Sequence, residues 1–203
     1  MSRLEEQINF IVEVDKIKNI FRQTNIGNNI RRENDAEHSW HLAIMAMFLK
    51  EHSNFDDVNL AHVIELVLIH DMVEIDAGDT YAYDVEANKT KREREVKAAE
   101  RIFNILPEDQ AKYLRDLWDE YEAEETHDAK FALALDILHP ILMNDIGDGL
   151  AWETHGVKES EARQRVARIE QGSKELYDLA NKIVDNNIAK GKIIPDSDII
   201  YDK

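Results

Sequence analysis

His70 and Asp71 are adjacent titratable residues inside the most apolar stretch of the chain, LVLIHDMVEIDAGD. A buried carboxylate needs a hydrogen-bond donor, an opposite charge or a cation beside it, because its transfer from water is otherwise prohibitive. One metal ion would satisfy both side chains, although an arbitrary His-Asp pair more often hydrogen-bonds to neighbouring helices. Glu74 follows His70 by four residues, so a helix would place it on the same face one turn along. Further residues must decide between these two explanations.

The other candidates for such a site are His38 and Asp136, each of which lies in or opens an apolar helical segment. Helix bundles build metal sites from side chains that project inward from facing helices. Two histidines and two aspartates give mixed nitrogen and oxygen ligation, which suits Mn, Fe, Co, Ni or Zn better than Ca. A six-coordinate ion would keep two positions for water and substrate. The spacing alone is a weak signal, since no short motif fixes three of the ligands.

Composition bounds the class of protein. With 203 residues and 43% hydrophobic content, the chain fits one domain that buries about 70% of its unfolded surface. It has no cysteine, which excludes disulfides, thiolate ligands and a cysteine nucleophile. The formal net charge of -17 repels phosphate backbones, so we expect neither a nucleic acid polymer nor a membrane as partner. A small phosphorylated substrate is compatible with this charge where local cations face it.

The N-terminal segment MSRLEEQINFIVEVDK carries acids throughout and lacks the apolar core of a signal peptide. No run approaches the roughly 18 apolar residues of a membrane-spanning helix, and we expect a cytoplasmic protein. The acidic run at 119–125 is most simply a solvated helix face.

Apolar residues recur at intervals of three and four, and the chain holds only seven Gly and three Pro, which predicts an all-α single domain over residues 1–203. Asn34 and Glu37 form a plausible capping box that begins the second helix. Pro140 is expected to kink or interrupt the helix that carries Asp136. The predicted helices are about 4–21 with Arg22 at its end, 35–51, 57–77, 86–106, one begun by Pro107, one capped by Thr126, and 158–187, followed by a loose tail at 191–203.

Three short segments carry a family resemblance: EHS at 37–39, HDMVE at 70–74 with GD at 78–79, and LALD ending at Asp136. In this order and at these intervals they resemble the HD-domain metal-dependent phosphohydrolases. More narrowly, the chain is similar to the branch of the bacterial 5'-deoxynucleotidase and its eukaryotic relatives. The similarity covers about 17–142. It implies an all-helical HD-domain bundle, a homodimer, and hydrolysis of nucleoside monophosphates.

The resemblance also implies roles for individual residues. His38, His70, Asp71 and Asp136 would be ligands of one divalent ion, drawn from Mn, Co, Fe, Ni, Zn or Mg. Glu74 and Asp79 match the acids that handle protons and orient water. Arg22 resembles the arginine that binds the phosphate, and Arg31 matches a basic residue upstream of EHS. Gln23 stands where the deoxynucleotidase has an aromatic residue that discriminates against ribose, so no preference for deoxyribose follows.

The expected chemistry is in-line attack of water on phosphorus. A carboxylate with a pKa of about 4.3 cannot efficiently deprotonate free water, whose pKa is about 15.7. A bound cation lowers the pKa of water to about 7. Arg22 and the ion would offset charge on the phosphoryl oxygens, and Glu74 would protonate the departing 5'-oxygen.

Three alternatives stay open at this point. The first is hydrolysis of another small phosphorylated metabolite. A metal-binding or storage bundle is favoured by two acid-x-x-His spacings, Asp35 with His38 and Asp136 with His139. A regulatory protein that has lost activity is disfavoured by the presence of both Glu74 and Asp79. His41 and His139 are most simply packing residues, and Lys91 most simply belongs to an exposed helix face.

Overall fold

Capping side chains set several helix starts, as the sequence predicts. We describe residues 1–198 from a computed structural model. The Asn34 side chain accepts a hydrogen bond from the Glu37 backbone, and the Glu37 side chain accepts one from the Asn34 backbone. Thr126 accepts from the Ala129 backbone in the same way. Each bond satisfies an amide at a helix N-terminus that has no partner within the helix.

Helices account for most of the described chain, and the all-α prediction is confirmed apart from one two-stranded antiparallel ribbon. The helices are α1 Arg3–Val14, α2 Asp35–Leu49, α3 Leu60–Ile69, α4 Glu74–Ala77, α5 Val85–Phe103, α6 Glu108–Ala123, α7 His127–Ile146, α8 Leu150–His155, α9 Glu159–Ala167 and α10 Lys174–Ala189. The strands are β1 Phe21–Asn25 and β2 Arg32–Asn34, with Phe21 opposite Asn34 and Asn25 opposite Arg32.

Helix α7 lies at the centre and contacts α2, α3, α6 and α10. Leu135, Ile137 and Leu138 on α7 are completely buried, so this helix is apolar on most sides. The N-terminal helix α1 has no buried residue and lies on the surface. Among residues 1–198, no helix combines the length and apolar character that crossing a bilayer requires.

Two helix predictions fail near the candidate site. The first helix was expected to reach Phe21, but α1 ends at Val14 and a 3-10 segment at Asp15–Asn19 leads into β1, so Arg22 lies on a strand. The apolar spacing of α1 continues as far as Phe21, so it does not mark the end of the helix. The pairing of β1 with β2 is a long-range contact that places Arg22 on a strand. The helix expected over 57–77 is divided into α3 and α4 by a turn that contains His70 and Asp71.

The C-terminal predictions are also corrected. The helix expected over 158–187 is divided into α9 and α10 near Gly172, where a Cβ would lie 2.2 Å from the Lys130 carbonyl oxygen. Only glycine permits this close approach to α7. Residues beyond 191 are not loose as far as 198, because Ile193 is completely buried and Ile194 forms a β-bridge with Lys158. The expected tail at 199–203 lies outside the described residues.

Pro140 was expected to kink or interrupt its helix, and it does not interrupt it, since α7 continues from His127 to Ile146. The residue lies one turn after Asp136, and helix α7 therefore presents Asp136 from a continuous segment.

Candidate metal centre

Three elements bring the four predicted ligands together. His38 comes from the first turn of α2, His70 and Asp71 from the turn after α3, and Asp136 from the middle of α7. His38 Nε2 lies 2.9 Å from Asp136 Oδ1 and 3.9 Å from Asp71 Oδ2. His70 Nε2 lies 3.2 Å from Asp71 Oδ2 and 3.7 Å from Asp136 Oδ1. All four side chains are buried.

These side chains fit a divalent cation. Ligand atoms bound at about 2.1 Å to one octahedral ion lie about 3.0 to 4.2 Å apart, and the four observed distances span nearly this range. His70 Nδ1 lies 2.9 Å from the Val67 carbonyl oxygen, to which it donates, so Nε2 carries the lone pair of the neutral ring. That Nε2 is buried without a hydrogen-bond partner. A lone pair that faces two carboxylates requires a proton or a cation between them.

Two further acids, Asp35 and Glu74, lie beside Asp71, with one oxygen from each of the three within 4.8 Å of the others. Both Asp35 oxygens and Glu74 Oε2 are buried without a hydrogen-bond partner. Burial and the Asp71 charge raise the pKa of Asp35 to about 7 and raise the pKa of Glu74 well above its usual value. These two carboxyl groups can therefore hold protons near neutral pH.

Arg22 supplies positive charge to this group of acids. Its Nη1 lies 2.7 Å from Asp71 Oδ2 and 3.5 Å from Asp35 Oδ1, and its Nη2 lies 3.9 Å from Asp136 Oδ1. Burial opposes the charge on Arg22, but Asp71 and Asp136 outweigh burial and raise the pKa of Arg22 well above its usual value. The guanidinium therefore stays charged at this wall of the site.

The neighbouring charges also set the protonation of two predicted ligands, His70 and Asp71. Burial opposes a proton on His70, but Asp71 and Asp136 outweigh burial and raise the pKa of His70 to about 10. Burial likewise opposes the charge on Asp71, yet His70 and Arg22 lower the pKa of Asp71 below its usual value. In the ion-free protein, one proton therefore occupies the place between His70 and the carboxylates.

A cavity of about 330 Å³ opens beside the predicted ligands. Its volume lies in the range of small-molecule sites. The lining residues from the predicted site are Arg22, His70, Asp71, Glu74, Asp79 and Asp136. Burial raises the pKa of Asp79 as well, while Arg22 opposes that shift.

Arg31 lies outside this cavity. Its two terminal nitrogens bind the Glu37 carboxylate at 2.7 and 2.6 Å on the surface, so the arrangement does not bring Arg31 to the other predicted site residues. Residues adjacent in sequence to a functional segment can face away from it, and the pattern upstream of EHS gave no indication of side-chain direction.

Several cavity residues were missed by sequence reasoning. Lys91, expected on an exposed face, lines the cavity and pairs with Glu95 at 3.3 Å. Arg165 and Arg168 reach the cavity from the segment after residue 142, which lies beyond the part of the chain that carries the family resemblance. Tyr121 lies in the acidic run at 119–125, yet it is buried and donates to Asp136 Oδ2 at 3.1 Å. Its helical spacing from Trp118 and Leu117 was the available signal.

A second, largely buried cluster lies behind His38, on the side away from the other three predicted ligands. It consists of Glu33 from β2, His41 from α2 and His139 from α7, with one ligating atom from each within 4.8 Å of the others. His139 was expected to be a packing residue, and it is completely buried, but its ring contacts are polar.

Comparison with known proteins gives consistent results. A family model described as HD domain matches residues 14–177. The human 5'-deoxynucleotidase HDDC2 is 35% identical over 136 residues, which cover 66% of this chain and 65% of that protein. The mouse 5'-deoxynucleotidase HDDC2 is 34% identical over 136 residues, with 66% of each chain covered. The chain thus spans about two thirds of the length of these relatives.

Solved structures extend the likeness to nearly the whole chain. A predicted metal-dependent phosphohydrolase from Magnetospirillum magnetotacticum is 49% identical, with a TM-score of 0.91 over 96% of this chain and 97% of that one. An HD-domain phosphohydrolase from Listeria innocua has a TM-score of 0.63 at 16% identity over 91% of this chain and 90% of that one, a likeness that concerns the fold alone.

Proposed function

Because this chain belongs to the HD-domain family, we propose that it is a divalent-metal-dependent phosphohydrolase that releases phosphate from nucleoside 5'-monophosphates. The observation that carries this proposal is the convergence of His38, His70, Asp71 and Asp136 beside a cavity that also contains Arg22. The similarity to proteins named 5'-deoxynucleotidase and metal-dependent phosphohydrolase supports the choice of reaction.

The four converging side chains would hold one ion among Mn, Co, Fe, Ni, Zn and Mg. When bound, a divalent ion supplies Lewis acidity, which lowers the pKa of water and neutralises charge on a phosphoryl group. Arg22 supplies the second positive charge. It lines the cavity, stays protonated, and has planar N–H donors that match phosphoryl oxygens. Because Arg22 contacts Asp71 at 2.7 Å, substrate binding would share this guanidinium between a ligand carboxylate and the phosphate.

Glu74 suits the role of general acid. Burial and the neighbouring Asp71 charge raise its pKa, so Glu74 retains a proton at a pH where an exposed glutamate is ionised. It lines the cavity and can donate that proton to the departing 5'-oxygen. Asp79 also lines the cavity, and we assign to it the orientation of the attacking water.

The cavity offers groups suited to the nucleoside as well as to the phosphate. Tyr81, Tyr83 and Trp152 are aromatic lining residues, and Arg165 adds a donor. Aromatic rings and a guanidinium plane are the surfaces on which bases commonly stack. Gln23 also lines the cavity, in the position expected to discriminate between sugars, and its amide can hydrogen-bond to a hydroxyl. We therefore include ribonucleotides as well as deoxyribonucleotides among the substrates.

The test is phosphate release from nucleoside mono-, di- and triphosphates, and from other phosphorylated metabolites, in the presence of Mn²⁺, Co²⁺, Mg²⁺ or Zn²⁺. We expect release from monophosphates, loss of release after chelation, and recovery when the ion is restored. Asp116→Asn, at an exposed pair with Lys112, is the matched control for substitutions of Asp136. Absence of release across the whole panel would overturn the proposal.

We also propose a homodimer. Helices α1 and α2 expose large apolar side chains that a partner subunit would cover: Leu4, Ile8, Ile11, Trp40, Met47 and Phe48. Light scattering after size exclusion should give twice the chain mass of 23.5 kDa. Phe48→Asp should reduce that mass, while Glu51→Ala, on the exposed end of the same region, should not. The expected cytoplasmic location stays a prediction, which cell fractionation checks.

A further inference from the structure

The imidazole of His38 contacts that of His139, which in turn contacts that of His41, so the three rings form a series. His38 Nδ1 lies 3.1 Å from His139 Nδ1, and His139 Nε2 lies 2.9 Å from His41 Nδ1. The Glu33 carboxylate stands beside the series, 3.6 Å from His38 Nδ1 and 3.4 Å from His139 Nε2. His38 and His139 are completely buried and Glu33 is 3% exposed, so water does not complete the contacts among these three, while His41 is half-buried at the end of the series.

The direction of hydrogen bonding in this series follows from the tautomer of His38. If Nε2 of His38 offers its lone pair to an ion, the ring hydrogen is on Nδ1, which must donate to His139 Nδ1 at 3.1 Å. A neutral His139 that accepts at Nδ1 carries its hydrogen on Nε2 and donates it to His41 Nδ1 at 2.9 Å. Every short contact then has one donor and one acceptor. The Glu33 carboxylate lies next to both donor nitrogens and stabilises this arrangement.

We infer that His139 is a positioning residue, which accepts the Nδ1–H of His38 and so holds that ring in the tautomer and orientation that a metal ligand requires. This inference rests on the proposed ion site. Partners of this kind on the remote nitrogen of a metal-ligating histidine fix the ring and strengthen binding. Here the partner is another imidazole, whose own tautomer depends on its Nε2 contacts with His41 and Glu33.

The competing interpretation is a second metal site made by Glu33, His41 and His139, whose ligating atoms lie within 4.8 Å. Such a site needs a lone pair on His139 Nε2, which moves the ring hydrogen to Nδ1. Two N–H groups would then oppose each other across the 3.1 Å contact with His38. An ion on His38 Nε2 and an ion on His139 Nε2 therefore exclude each other, and the series predicts one ion per subunit.

The test compares His139→Leu with His139→Asn by titration of Co²⁺ into the full chain after chelation. The two side chains have nearly the same shape, but only asparagine places an acceptor oxygen where histidine has Nδ1. We expect His139→Leu to raise the Co²⁺ dissociation constant about 10- to 100-fold, which is the range for loss of an outer partner of a ligating histidine. His139→Asn should retain most of the affinity. His62→Leu, at a histidine outside both clusters, should leave it unchanged.

A second measurement uses the unaltered protein, so it remains available if His139→Leu does not fold. In the NMR spectrum of the Co²⁺ form, the His38 Nδ1–H should appear as a strongly shifted, slowly exchanging proton, and it should persist in His139→Asn. Equal Co²⁺ affinity of the leucine variant and the parent would overturn the inference and leave the ion site intact. Two Co²⁺ per subunit would overturn it in favour of the second metal site. Failure of the parent to bind Co²⁺ would instead refute the proposed function.

Discussion

His70 and His139 are both buried, yet their surroundings move their pKa values in opposite directions. Burial opposes a proton on His70, but Asp71 and Asp136 raise its pKa to about 10. Burial also opposes a proton on His139, and the neighbouring His38 and His41 lower its pKa further, well below the usual value. The difference shows that burial alone does not decide the charge of a histidine here. The charge depends on which neighbours predominate: two carboxylates lie beside His70, whereas His139 lies between two imidazoles with the one carboxylate of Glu33 beside it.

The two clusters therefore satisfy their polar atoms differently. The ligand cluster of His38, His70, Asp71 and Asp136 concentrates negative charge, and it requires a proton or cation to balance it. The outer cluster of Glu33, His41 and His139 contains one acid, and a directed series of hydrogen bonds satisfies its rings. His38 connects the two clusters, because its Nε2 contacts Asp136 and its Nδ1 contacts His139.

The largest expected effect comes from the ligand cluster. Asp136→Asn removes a charge that faces both histidine nitrogens and accepts from Tyr121. We expect phosphate release to fall by about 10⁴-fold or more, the scale for loss of a central catalytic group. Steady-state assays with excess Mn²⁺ measure this, with Asp116→Asn as the control. If Asp136→Asn released phosphate as fast as the unaltered protein, the ligand cluster would be no more important for activity than the outer cluster.

A smaller loss is expected at the acid beside the ligands. Glu74→Gln keeps the shape of the side chain but cannot release a proton, so kcat should fall by about 10² to 10³-fold. Because Glu74 is proposed as an acid and not as a ligand, Co²⁺ affinity should be retained. Parallel titration and kinetic measurements separate the two roles. If Glu74→Gln lost Co²⁺ affinity together with activity, Glu74 would be a metal ligand and not only an acid.

The contrast between the two histidines also predicts how ion binding depends on pH. The pKa of about 10 keeps His70 protonated at neutral pH in the ion-free protein, and a bound ion requires the neutral ring. Binding should therefore release at least one proton, and affinity should rise about tenfold per pH unit for each proton displaced as pH rises from 7 to 9. Calorimetry in buffers of different ionisation enthalpy counts these protons. His139→Asn should leave the count unchanged, because His139 is already neutral; a lower count would show that His139 too holds a proton.

The smallest effect is expected at His62, which is remote from both clusters. Its Nε2 lies 2.9 Å from Glu120 Oε2, and the side chain is 28% exposed. Burial opposes the proton, but the hydrogen bond with Glu120 outweighs burial and raises the pKa of His62. The stabilisation is fully present below the unfolded value of about 6.5 and is lost as pH rises through the folded pKa.

His62→Gln should therefore lower the free energy of unfolding at pH 6 by less than about 1 kcal/mol, with a smaller difference at pH 9. Urea unfolding at the two pH values measures this difference. A larger loss at pH 9 than at pH 6 would contradict the assigned direction of the pKa shift.

Several helix starts, and the choice of His70 and Asp71 as candidate site residues, followed from local patterns. The Asn34 and Glu37 capping box depends on neighbours three residues apart, and it could be predicted from the sequence. The grouping of His38 with Asp136 came from the family resemblance, because no local rule relates positions so far apart. The division near Gly172 had a local signal that was missed, the N-cap Ser173 that begins α10, whereas the close approach of the Lys130 carbonyl, which requires glycine at 172, could not be predicted. The same limit applies to Glu33 and Arg165, whose roles depend on long-range packing.

The turn after α3 holds two consecutive residues whose side chains approach the same point. Neighbouring side chains in a continuous α-helix diverge by about 100° around the axis. His70 still has helical dihedral angles and its backbone N–H donates to the Leu66 carbonyl oxygen, so the end of α3 alone does not remove that divergence. The two side chains are instead oriented by separate partners, the Val67 carbonyl oxygen for His70 and the Arg22 guanidinium for Asp71, and a transplant of the His-Asp dipeptide into another scaffold must carry both partners with it.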